Sequence, residues 1–272
     1  MIREIRTGND VSIISGEFTA GLGRLIFHHP IGTFSLTPAS NILIETIIKH
    51  KDILSGIGID WGSGVGCLAI LAAKIRSVDK VYGLEISPPN IEAARKNAQE
   101  NGVADKSRFI LADSYSPYDP KEKHEFNRLR GRVNFIVANP PSSDWDDGFG
   151  YRRIVMKGAK DYLIKDGIVL LNISFQYGIK RMESLYKDGD YSYMGIGAST
   201  DWVQFDMNRT DLLDCLKVYV QEEQKGGLEY IFKGSESDQT LINATAALDD
   251  YYKNGTSPLT KWQTHIFKYS GK

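Results

Sequence analysis

Ile57-Gly58-Ile59-Asp60-Trp61-Gly62-Ser63-Gly64-Val65-Gly66 is the stretch on which the fold turns. The apolar residues from Ile57 to Trp61 read as a short buried strand, and Val65 to Arg76 continues as a helix. Between them stand three alternate glycines. A strand, a glycine turn and a helix bring the main chain close to a ligand at the carboxyl edge of a sheet, where open α/β folds bind cofactors.

Outward from this turn, Val- and Ile-rich runs alternate with helical patterns, the mark of βαβ units around a parallel sheet. Val81 to Glu85 reads as a second strand and Pro88 to Asn101 as a helix with proline in its first turn, ended by Gly102. Arg108 to Ala112 and Val133 to Ala138 give the third and fourth strands, Tyr151 to Ile164 a helix, and Ile168 to Ile173 a fifth strand after the Asp166-Gly167 turn. Residues 188–207 carry Tyr191, Tyr193, Trp202 and Phe205 without a sustained period and are expected to form a lid-like loop. Thr210 is expected to cap a helix to about Lys225, stopped by Gly226-Gly227. Leu228 to Lys233 and Thr264 to Tyr269 read as two late strands pairing antiparallel at a sheet edge, with a helix between them around Leu241 to Lys253. The expected fold is a Rossmann-like, seven-stranded, mostly parallel sheet with helices on both faces. An amino-terminal extension of short strands spans 1–36, and the main domain 37–272.

Lys and Arg number 33 against 34 Asp and Glu, so no global field draws the chain onto nucleic acid. The basic run from Lys121 to Arg132 reads as a solvated face. No apolar run approaches the roughly 18 residues of a spanning helix, and the charged start Met1-Ile2-Arg3-Glu4 does not resemble a leader, so a cytoplasmic protein is expected. Cys67 and Cys215 lie far apart and read as packing residues, and the five histidines show no metal-ligand spacing, so no metal is expected.

The glycine spacing constrains the ligand. A dinucleotide loop needs a third glycine where Cys67 stands, and here it falls at Gly66, which disfavours a nicotinamide oxidoreductase. Asp60 places a carboxylate where it would meet an ammonium or sulfonium group and repel a pyrophosphate. Glu85 and Asp113, each ending a strand, suit ribose hydroxyls and an adenine amino group, with Ser114 adding a polar contact. Asn139-Pro140-Pro141 follows the fourth strand, and its prolines fix the backbone so that the Asn139 side chain and Pro140 carbonyl present two acceptors to a planar amine.

These motifs resemble the class I methyltransferases, over about residues 34–175. The resemblance implies S-adenosylmethionine as cofactor, with Asp60, Gly62, Gly64 and Gly66 at its methionine part, Glu85 at ribose and Asp113 at adenine. Asp147 to Ile154, Phe175-Gln176-Tyr177-Gly178, and Phe34-Ser35-Leu36-Thr37-Pro38 are similar to segments of the HemK-like glutamine methyltransferases of release factors, the last serving there as a cofactor lid, which places Thr37 beside the cofactor. Ser142 stands where amino-directed members carry a stacking aromatic, and Trp145 or an aromatic of the 188–207 loop is a candidate to supply that stacking. The implied activity is N-methylation of a planar amide or exocyclic amine of a macromolecule, a protein glutamine or an RNA base; a non-catalytic S-adenosylmethionine-binding module is the other reading.

Overall fold

The computed structural model describes residues 5–8, 10–33, 35–235 and 240–271. Phe34 of the lid segment and Met1 to Glu4 lie outside the described residues. Three short strands, β1 (Ile5–Thr7), β2 (Val11–Ile14) and β3 (Leu25–His28), form an antiparallel sheet of their own. The main sheet is built from β4 (Gly56–Trp61), β5 (Val78–Glu85), β6 (Ser107–Asp113), a two-residue β7 (Ser116–Pro117), β8 (Val133–Ala138), β9 (Leu163–Asn172), β10 (Tyr191–Ser199) and β15 (Gln263–Tyr269). Its order is β10-β15-β9-β8-β4-β5-β6-β7. The sheet therefore has seven long strands, as expected, and a minimal eighth at its edge.

From β6 to β9 all neighbours run parallel, and β15 and β10 are added antiparallel. The chain winds from β4 through β5 to β6 on one side and continues with β8 and β9 on the other. The switch point lies between β4 and β8, so their carboxyl ends open a crevice. Side chains alternate in β8: Ile136 belongs to the core beneath one face, Phe135 and Val137 to the core beneath the other. Helices α1 (Pro38–Lys49), α2 (Cys67–Ala73) and α3 (Pro88–Glu100) cover the second face. Helices α4 (Pro120–Asn127) and α5 (Gly150–Tyr162) cover the first, and a short α6 (Gly178–Glu183) follows β9.

The amino-terminal sheet is tied down by two side-chain amides one turn apart, Asn97 on α3 and Asn101 at its carboxyl cap. Asn101 accepts from the Ile26 N–H at 3.0 Å and donates to the Ile26 carbonyl at 2.7 Å, and Asn97 makes the same pair of bonds with His28. They satisfy the outer edge of β3 as another strand would.

The region after β9 departs from expectation. Residues 191–199 are not a lid but the edge strand β10, paired with β15, because Tyr191, Tyr193 and Ala198 alternate inward while Ser192, Met194 and Ile196 face out. The insertion lies beyond it, in residues 200–262. There β11 (Val203–Gln204), β12 (Phe232–Lys233), β13 (Leu241–Ile242) and β14 (Leu259–Thr260) form a small sheet, with α7 (Thr210–Gln224) and α8 (Ala244–Asn254) packed together. The run at 228–233 supplies only β12 and joins this sheet, not β15. Arg209, not Thr210, occupies the cap position of α7. Glu223 of α7 accepts from the N–H groups of Ala244 and Thr245, so its carboxylate seats the amino end of α8.

Candidate functional site

One cleft of about 640 Å³ runs along the carboxyl ends of β4, β5, β6 and β8, and continues beneath the insertion. At the end by the glycine turn, where the sequence places a cofactor, the walls include Thr37, Trp61, Gly62, Gly64, Glu85, Asp113 and Ser114. Gly62 adopts φ +70° and an added Cβ there would meet open space, so the backbone is exposed to a ligand at the turn. Glu85 is buried; one carboxylate oxygen accepts from the Gly64 N–H and the other from the Ser87 N–H, both at 2.8 Å. Each oxygen keeps a lone pair for a hydroxyl donor. Ser114 accepts from the Trp61 indole at 3.0 Å and retains its own proton to donate. Thr37 caps α1 in a reciprocal arrangement with Ser40, which stiffens the segment roofing the cleft.

Two expected members lie behind this wall. Asp60 is fully buried and is not part of the cleft surface; one of its oxygens accepts from the Ala69 N–H in the first turn of α2 at 2.9 Å. It does the work of a helix cap, because Gly66, at the cap position, has no side chain. Burial pushes the Asp60 carboxyl up to about 7, its other oxygen having no hydrogen-bond partner among the described residues. Gly66 is required sterically: at φ +88°, a Cβ would fall 2.8 Å from the Phe109 ring. Both residues therefore shape the turn from beneath it. Cys67 and Cys215, read as packing residues, instead both line the cleft, Cys67 near the turn and Cys215 under the insertion. Burial first, and then Asp211, push the Cys215 thiol up, so it stays a neutral wall group.

At the other end, Asn139, Pro140, Pro141 and Ser142 form the floor. Asn139 is gripped on both sides: its amide donates to Ser40 Oγ at 3.2 Å, and its oxygen accepts from Asn172 at 2.8 Å. Asn172 in turn donates to the Ala39 carbonyl and accepts from Thr264. This network fixes which way the Asn139 amide points and leaves its oxygen a second lone pair for a donor in the cleft. The Pro140 carbonyl, expected as a free acceptor, is partly engaged: the buried Arg152 donates to it at 3.2 Å, to the Pro141 carbonyl at 3.1 Å and to the Asn172 carbonyl at 2.9 Å. Arg152 thereby braces the loop from below.

Of the two expected sources of stacking, Trp145 stands apart from the cleft, and the 188–207 segment contributes Phe205 to its wall. Trp145 is 57 % exposed and packs edge-on against Tyr151, 4.5 Å between ring centroids. The aromatic surface near Ser142 comes from Tyr177, Tyr219, Phe205 and Trp262, the last three belonging to the insertion. Tyr219 reads from sequence as a helix-core residue and is indeed buried, stacked 4.0 Å from Tyr230, yet its edge reaches the cleft. Only its spacing on α7 was visible in the sequence, and that spacing fits core and cleft alike. Arg209 and Asp211 stand at the same end, joined as a bidentate pair at 3.1 and 2.7 Å. The basic run at 121–132 lies elsewhere, with Arg130 paired to Asp161. Among the described residues, no group of three His, Cys, Asp or Glu side chains is placed to hold a metal ion, and no helix is long and apolar enough to cross a membrane.

The sheet order, the glycine turn at the switch point and the acceptor loop after the fourth parallel strand define a Rossmann-like methyltransferase domain. The methyltransferase small domain family model matches residues 24–188, and the chain belongs to that family. It is 21% identical over 151 residues to a release factor glutamine methyltransferase of Thermodesulfovibrio yellowstonii, covering 50% of this chain and 54% of the relative. It is 39% identical over 74 residues to a ribosomal protein L11 methyltransferase of Photobacterium profundum, covering 27% of this chain and 24% of the relative. The chain thus spans about half the length of the first of these relatives and a quarter of the second. The fold is shared with the crystal structure of the M. jannaschii tRNA m1G37 methyltransferase, at a TM-score of 0.53 and 15% identity, over 98% of this chain and 59% of that one.

Proposed function

We propose that the chain is an S-adenosylmethionine-dependent N-methyltransferase acting on a planar amide or exocyclic amine of a protein or an RNA. The observation that carries the reading is the continuity of one cleft from the Gly62–Gly64 turn to Asn139 and Pro140. The cofactor end fits the group: an accessible glycine backbone, a carboxylate with lone pairs to spare at Glu85, a second at Asp113, and apolar walls from Trp61 and Leu84. Gly62 and Gly64 would face the methionine part, Glu85 the ribose, Asp113 and Ser114 the adenine, while Asp60 and Gly66 hold the turn from beneath.

When bound there, S-adenosylmethionine supplies an electrophilic methyl group. The chain's own part is orientation. Asn139 Oδ1, and the Pro140 carbonyl by its remaining lone pair, accept the N–H donors of the incoming amine and leave its lone pair facing the cofactor end. Asn172, Ser40 and Arg152 hold those acceptors still, so little reorganisation accompanies the reaction. Leu212, Phe205 and Trp262 exclude water where charge is neutralised. A non-catalytic role leaves the bracing of Asn139 without a purpose, and the glycine placement does not suit a nicotinamide cofactor.

Transfer of labelled methyl from S-adenosylmethionine into a cell extract, split and treated with protease or ribonuclease, tests the reading. Label lost to protease identifies a protein acceptor and label lost to ribonuclease an RNA. Absence of any transfer, with S-adenosylmethionine failing to bind in calorimetry, removes the proposal.

A further inference from the structure

A chain of hydroxyls crosses the acceptor end of the cleft. Tyr219 donates to the Tyr177 hydroxyl at 3.2 Å, and Ser142 Oγ lies 3.5 Å from the Tyr219 hydroxyl. Arg152 Nη1, whose two protons are shared with the Pro141 and Gly148 carbonyls, also donates to the Tyr177 hydroxyl at 3.4 Å, with the guanidinium carbon 4.5 Å from the Tyr177 ring centroid. A phenol oxygen has two lone pairs and one proton. Both lone pairs of Tyr177 are met by donors, and Tyr219 has given its only proton to Tyr177. The Tyr177 proton is then the one in the chain with no acceptor among the described residues, on a buried side chain that lines the cleft. A buried donor of this kind is costly unless something accepts from it.

Arg152 also fixes where that donor stands. While Nη1 meets the Tyr177 hydroxyl, Nη2 of the same guanidinium meets the Pro140 carbonyl at 3.2 Å. One rigid, planar group therefore sets the spacing between the acceptor for an amine and the donor for its neighbour. A group with N–H donors and an oxygen on the same carbon matches this pair, and an aryl amine without oxygen satisfies only half of it.

Resting on the reading that Asn139 and Pro140 hold the methyl acceptor, we propose that Tyr177, oriented by Arg152 and Tyr219, donates a hydrogen bond to an oxygen adjacent to the methylated nitrogen and so selects acceptors of carboxamide type. Ser142 takes the place that the stacking aromatic holds in amino-directed members, and the Tyr219 hydroxyl from the insertion lies 3.5 Å from its Oγ.

The test uses the full chain saturated with S-adenosylhomocysteine and two small probes of the same shape, benzamide and thiobenzamide, titrated by NMR. Sulfur is the weaker acceptor, so the wild type should bind benzamide at least about fivefold more tightly, near 1 kcal/mol for a buried neutral hydrogen bond. Tyr177→Phe keeps the ring and should bring the ratio within about twofold, and Tyr219→Phe, which keeps the stack on Tyr230, should fall between. Unchanged affinity for S-adenosylhomocysteine confirms that each variant is folded. A ratio that survives in Tyr177→Phe, or wild-type protein that binds neither probe, overturns the inference. Asn139→Ala should weaken both probes alike; if it changes neither while Tyr177→Phe still abolishes the preference, the acceptor reading fails and the donor role of Tyr177 stands.

Discussion

The two ends of the cleft are built differently. The cofactor end comes from strand ends and the turns that directly follow them, at Trp61 to Val65, Glu85 and Asp113, and most of its donors and acceptors belong to the backbone or to side chains bonded to it. The far end gathers side chains from the segment after β9, the one after β11, α7 and the stretch after β14, far apart in the chain: Tyr177, Phe205, Tyr219 and Trp262. On the proposed function, a ligand shared by a whole fold class would be met by local backbone geometry, and a particular acceptor by a separate unit laid over the sheet. The lesson is that the insertion, residues 200–262, is where selectivity should be sought.

The largest expected effect lies beneath the glycine turn, at Asp60, which is buried and bonded to α2. Its carboxyl is raised from 3.8 to about 7 by burial, so the folded protein holds a proton that the unfolded chain has lost. Stability from this group is full below about pH 4 and is lost as pH rises through about 7, a total approaching about 4 kcal/mol at 1.36 kcal/mol per unit. Asp60→Asn should flatten this slope in denaturant titrations between pH 4 and 8; a slope as steep as the wild type's assigns the titration to another group. At the acceptor end, Asn139→Ala should lower the turnover number about hundredfold with cofactor affinity within about twofold, checked by radiolabel transfer and calorimetry. Its mirror is Glu85→Ala, expected to weaken S-adenosylmethionine binding about thirtyfold, some 2 kcal/mol, by calorimetry, and to leave the acceptor's KM unchanged.

Trp262→Ala should raise the acceptor's KM about tenfold in steady-state kinetics while cofactor binding holds, which is the sharpest separation of the two ends. Smallest of all is Trp145→Ala, expected to shift neither constant by more than about twofold, since this ring lies on the surface against Tyr151. A large effect there would restore Trp145 to the acceptor site.

Much of the sheet was legible because its signal is local. Buried parallel strands are continuous apolar runs, and Ile57 to Trp61 and Val133 to Ala138 announce themselves without reference to any partner. The strand within residues 188–207 carries no clear pattern because β10 is an edge strand with two register shifts against β15, and glycines at 195 and 197 blur its alternation. Chain distance puts Trp145 three residues from Ser142, but the turn before α5 carries its ring outward. Tyr177 stood in a recognised segment, but its hydroxyl's role depends on Tyr219, 42 residues on.

By itself the sequence determined the doubly wound sheet, the turn at its switch point, the acids at Glu85 and Asp113 and the Asn139-Pro140-Pro141 loop, because each is encoded within a few residues of a strand end. Only the tertiary structure decided that Asp60 works beneath the turn, that Arg152 braces the acceptor loop, and that the insertion, not Trp145, walls the far end of the cleft. Burial and hydrogen-bond partnership are properties of packing between distant segments, and no local pattern of residues carries them.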